Sequence, residues 1–145
     1  MHPDTEALIA LSHCDTAVEA LESEYRKLVK AIKASEHQLT EAQKSHDATL
    51  DELSRLRSEE KKHNRKYESY LKRVTTTKQL IENGTAGDYD AALNQLSLCK
   101  EIVDQEETSL LELFDEIERC SEECDSAEKL LAHRALQVSN RQGAL

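Results

Sequence analysis

Tryptophan is absent from this 145-residue chain, phenylalanine and proline occur once each, and glycine three times. Each scarcity excludes something. Compact turns draw on Gly and Pro, so folds with many chain reversals, sheet folds foremost, have no material here. A Gly-rich phosphate loop is missing too, which removes the nucleotide-binding α/β folds. No apolar run approaches the ~20 residues that span a bilayer. Basic charge is in deficit: 19 Lys and Arg stand against 29 Asp and Glu, a formal net charge of −10. That balance disfavours nucleic acid and anionic membrane as bulk partners. The residues up to Ala10 carry acidic groups and neither Lys nor Arg before their short apolar patch, which is not a secretory signal pattern. A cytoplasmic location is expected, and there the four cysteines are expected as free thiols.

What is present is charge, 33% of residues, in a background of Ala, Glu, Lys, Leu and Arg. Such a composition reads as long helices. The one proline, Pro3, suits a helix start with Asp4 and Glu6 beside it. From there to Asn83 the chain has no breaker, and then Gly84-Thr85-Ala86-Gly87-Asp88 supplies the one strong interruption. Gly84 suits a left-handed helix stop, and Asp88 or Thr85 the next N-cap. The spacing predicts a helix over 4–82, a loop over 83–88 and a helix over 89–142, in one domain.

Heptad periodicity supports this in detail. Leu11, Val18, Tyr25, Ile32 and Leu39 begin the a series of the first helix; Cys14, Leu21, Leu28, Ser35 and Ala42 begin its d series. The 3-4 spacing continues to Ile81 without a stutter. The second helix has its own phase, with Leu96, Val103, Leu110 and Ile117 at a and Cys99, Glu106, Leu113 and Cys120 at d. This period demands a left-handed supercoil, and a short loop makes the helices antiparallel neighbours. The expected fold is all-α: two long helices forming an antiparallel coiled-coil hairpin. Pairing a against d sets Leu56 near Ile117, Ala42 near Leu131 and Ser35 near Val138, with a slip of one heptad left open. Charge agrees with this pairing, since the basic stretch 55–78 then lies beside the acidic stretch 101–118.

The two helices differ in length, so residues 4–31 are expected to lack an internal partner. Leu8, Leu11, Val18, Leu21, Tyr25 and Leu28 form one apolar stripe there. An unpartnered stripe on a single helix is an association surface. Other proteins are the expected partners, with a homodimer through residues 4–31 as the simplest closed arrangement; parallel and antiparallel dimers remain alternatives. The loop tip, Gly84, Gly87, Asp88 and Tyr89, is a second candidate for recognition, set against simple chain reversal.

Chemistry is sparse. Cys120 and Cys124 stand at i and i+4, and with His46 they could be metal ligands. All four cysteines map to core positions, however, where cysteine serves as a small apolar side chain. No metal and no cofactor is therefore expected. His46 and His63 map to the core with Glu60 between them; polar core layers of this kind fix register, and a pH-responsive site is the alternative. A two-helix hairpin offers almost no concave interior for a catalytic group, so no catalytic residue is assigned and the chain is not expected to be an enzyme. Nucleic-acid binding by the 55–78 cluster is not expected, because acidic side chains face it and Tyr67 and Tyr70 map to the core.

The opening Leu8-Ile9-Ala10-Leu11, then Asp15 and Ala20-Leu21-Glu22, resembles a bacterial family of coiled-coil hairpins with a C-terminal zinc ribbon. The residues around the tip resemble it more closely: Thr77-Lys78-Gln79, Asp88-Tyr89, Ala92-Leu93, Gln95-Leu96, Val103-Asp104, Glu106-Glu107-Thr108, Leu111-Glu112-Leu113 and Asp115-Glu116-Ile117-Glu118. The resemblance implies an adaptor or chaperone-like role linked to flagellar or type III secretion and its regulation. The chain departs from that family in having no Cys-x-x-Cys pairs after Cys124, so nothing located in the ribbon carries over. Size and hairpin form are also similar to the flagellar export stalk family, FliJ-like, which engages an export ATPase. A metal- or nucleic-acid-binding module is the alternative of a different class.

Overall fold

A computed structural model describes residues 2–145. It contains α1, Pro3–Glu82, and α2, Tyr89–Gly143, with no strand among the described residues. The helices exceed the expected ranges by one residue at Pro3 and one at Gly143. Neither is long and apolar enough to cross a membrane.

The helix ends follow from local chemistry. At the start of α1 the His2 carbonyl accepts from Thr5 N–H and Glu6 N–H, and its Nδ1 accepts from Asp4 N–H at 3.2 Å. The N-terminal amides are thus supplied with acceptors. At the far end Gly84 has φ of 68°. Its N–H donates to the Ile81 carbonyl and Thr85 N–H donates to the Leu80 carbonyl at 3.0 Å. This pair of bonds is the Schellman stop, and it needs a residue tolerant of left-handed backbone. The Thr85 hydroxyl donates to the same Leu80 carbonyl, so Thr85 closes α1 while Asp88 opens α2. Asp88 Oδ1 accepts from Ala91 N–H, three residues into the helix.

The chain divides into two compact units: α1 up to His46 with Ser126–Leu145, and Asp47–Asp125. In the first, Arg134 Nη1 donates to Gln38 Oε1 at 2.9 Å, Arg141 Nη1 donates to the Ala31 carbonyl and to Ser35 Oγ, and Gln142 reaches Glu36. As α2 advances its contacts on α1 retreat, which makes the pair antiparallel. In the second unit the same holds, with Glu106 meeting His63 and Cys120 meeting Thr49. Leu53, Leu56, Leu113 and Cys120 form its buried cluster, with Ile117 packed against them.

Burial follows the heptads. Every a and d position of α1 from Leu28 to Ile81 is buried or half-buried, as is every one of α2 from Ala92 to Val138. Leu56 and Ile117 belong to one cluster, as the a-to-d pairing requires. Ser35 is the most enclosed residue, 1% exposed, with Val138 also buried. Interdigitation of small against large side chains explains why alanine, serine and cysteine hold core positions here.

Candidate interaction surface

The feature that stands out is a helical face with nothing packed on it. From Pro3 to Lys27 every residue of α1 is exposed. Leu8 (66%), Leu11 (58%), Val18 (52%), Leu21 (65%) and Tyr25 (59%) all present large apolar surface there. Leu28 is half-buried, as are Val29 and Ala31. The uncovered segment is therefore shorter than 4–31, and at its end Arg141 donates to the Ala31 carbonyl. Cys14, at a d position, is exposed with its neighbours, whereas Cys99, Cys120 and Cys124 are buried; all four are free thiols. Ile9, at 44% exposure, widens the apolar surface beyond the stripe that periodicity picks out.

The tip residues surround the turn between the helices. Gly84 and Asp88 act as helix stop and start, Tyr89 is 59% exposed, and Gly87 is exposed without backbone strain. An open groove of about 470 Å³ runs past Gly87 and Asp88, with Lys72, Arg73 and Thr76 on its α1 side. Lys72 and Arg73 belong to the basic stretch 55–78, and Thr76 is not among the tip residues that the sequence singles out. The Arg73 guanidinium lies 4.7 Å from the centre of the Tyr70 ring, a cation–π contact.

At His63 the polar core layer takes in Glu106, a d residue of α2. His63 Nδ1 lies 2.5 Å from Glu106 Oε2, and Lys66 Nζ lies 3.1 Å from Glu106 Oε1. Glu106 is buried, while Glu60 is only half-buried. Burial alone would raise the Glu106 carboxyl, but the hydrogen bonds from His63 and Lys66 outweigh it and hold it below the ordinary carboxylate range. A buried carboxylate with two cross-helix donors is satisfied on both oxygens, and it links α1 to α2 at one register. Arg55 is held instead by its own helix, with Glu52 and Glu59 at 2.6 and 2.8 Å.

Cys120 donates to the Thr49 carbonyl at 3.6 Å. Burial, with Glu123 and Glu52 nearby, pushes its thiol up, the opposite of what a thiolate ligand or nucleophile needs. His46 is half-buried on α1. No grouping of three His, Cys, Asp or Glu side chains suited to a metal occurs among the described residues.

No family model, curated protein or solved structure matches this chain.

Proposed function

We propose that this chain is a non-enzymatic protein–protein interaction scaffold whose docking element is the overhanging segment 3–27 of α1. One observation carries the reading: the a/d stripe that is covered along the rest of α1 continues uncovered through Leu11, Val18, Leu21 and Tyr25. Burying a large apolar side chain yields about 1.5–3 kcal/mol, so a row of them on one helix is a strong driving force for association. The covering partner is another protein helix, with a second copy of this chain, in a homodimer, as the simplest case. The resemblance to zinc-ribbon hairpins supports an adaptor in or beside a secretion apparatus, in the cytoplasm; a stalk role at an export ATPase is the related reading.

Capture from cells of origin tests the scaffold. Leu11 and Leu21 are exposed, so the L11D/L21D variant alters the stripe without opening the core. Proteins retained by the full chain and released by L11D/L21D are the expected result. An identical set retained by both would remove the overhang as the docking element.

A further inference from the structure

We infer that the overhang is covered by an amphipathic helix of a different protein, apolar along its seam and flanked there by Lys and Arg. This rests on the docking reading above and adds the chemistry of the partner.

Heptad phase sorts the charges of the overhang into two sets. With Leu11, Val18 and Tyr25 at a and Cys14, Leu21 and Leu28 at d, the positions bordering the seam are e and g. From Pro3 to Lys27 the charged residues at those positions are Asp15 and Glu22 at e and Glu24 at g, all acidic and all exposed. The cations Arg26, Lys27 and Lys30 fall at b, c and f, on the face turned away from the seam. Arg26 reaches Glu22 at 4.0 Å with both side chains in the open, a pairing of little worth. The uncovered stripe is therefore apolar along its centre and negative along its borders.

The hairpin itself shows how such borders are met. Where α2 covers α1, the facing helix brings donors to the bordering oxygens of α1: Arg134 Nη1 to Gln38 Oε1 at g, and Gln142 Nε2 to Glu36 Oε1 at e. On the overhang the bordering oxygens are those of Asp15, Glu22 and Glu24. A facing helix with Lys or Arg at its own e and g positions gains attraction there, over a span of about 14 Å, nine residue steps at ~1.5 Å each. Nearer Pro3 the borders carry no charge, with Leu8 at e and Ala10 and Ala17 at g, and apolar contact alone decides. A facing helix with acidic borders is repelled. That includes a second copy. Symmetry makes it the simplest arrangement, but the only charges it brings to the seam are Asp15, Glu22 and Glu24 again.

Two labelled synthetic peptides test the charge, with the full chain as receptor and fluorescence anisotropy as the readout. Both are four-heptad helices with Leu at a and d; one carries Lys at e and g, the other Glu. The Lys-flanked peptide should bind roughly tenfold more tightly than the Glu-flanked one at low salt, and the gap should narrow in high salt. D15K/E22K/E24K alters exposed side chains only and should reverse the preference. L11D/L21D should lose the Lys-flanked peptide although it is more acidic than the native chain, which separates docking on the seam from bulk attraction to a net charge of −10. Equal binding of the two peptides, or a preference unchanged in D15K/E22K/E24K, would overturn the basic partner and leave the stripe as docking element. Equal binding of the Lys-flanked peptide by L11D/L21D would mean that bulk charge draws it, and would overturn the proposal. So would the absence of binding by either peptide up to roughly 100 μM. Light scattering on the chain alone checks the second copy: a dimer that the Lys-flanked peptide does not dissociate would make that copy the occupant. These outcomes differ from a failure of the scaffold reading, which the L11D/L21D capture reports separately.

Discussion

Glu106 is the residue whose charge is most consequential for the fold. It occupies a d position that heptad logic reserves for apolar groups, and it is 5% exposed. An ion so placed is tolerable only when paired and hydrogen-bonded, and His63 and Lys66 meet both conditions. Its carboxyl is held below the ordinary value, about 4.3 for glutamate, so the unfolded chain takes up the proton first as pH falls. The stabilisation is fully present above that unfolded value and is lost as pH drops through the lower, folded one. Denaturation midpoints measured from pH 6 to pH 3 should therefore fall more steeply for the native chain than for E106Q. Equal slopes would mean that the ion pair contributes nothing to the acid response. A purely apolar site behaves differently. Leu56 is 2% exposed within the buried cluster, and Leu56→Ala should cost about 3 kcal/mol, the transfer term plus the cavity left behind, read at any pH by urea unfolding.

At the scale of the element, the two tip glycines separate conformational need from mere occurrence. Gly84 sits at φ 68°, with nothing within 4 Å of where a Cβ would stand, and Gly87 has open space and no positive φ. Gly84→Ala should thus cost about 1 kcal/mol from backbone alone, while Gly87→Ala should lie within about 0.5 kcal/mol of the native chain. Thermal unfolding of the two variants makes the comparison, and equal shifts would contradict it. Asp88→Ala should cost about 1 kcal/mol through loss of the cap on Ala91. The helices, their stops and their a/d faces were legible in the sequence because period and punctuation are local properties. The partner of His63 was not. It comes from Glu106, 43 positions away, and choosing it over Glu60 requires the register to within a turn, which charge runs do not supply. The end of the overhang falls a few residues short of residue 31, since Leu28, Val29 and Ala31 are half-buried.

For the molecule as a whole, the consequence of unequal helices is that one stretch of α1 depends on what lies outside the protomer. Inside the protomer, amides from Ile32 to Thr77 belong to a helix covered on one face by α2. Those from residue 3 to residue 27 belong to a helix exposed on every side, held only by its own hydrogen bonds and by continuity with the covered part. In proteins most helical stability comes from packing one face against a partner, and opening free energy tracks cover. Hydrogen exchange at low protein concentration should find 3–27 exchanging far faster than 32–77. Association adds stability by mass action, and only where contacts are made. Adding the Lys-flanked peptide should then slow exchange across 3–27 and leave 32–77 unchanged, and should slow neither in L11D/L21D, whose stripe is broken while its core is intact. Protection of 3–27 that is already high in dilute solution would mean that the segment is covered within a single chain. Protection that rises with the concentration of the chain alone would mean that a second copy covers it.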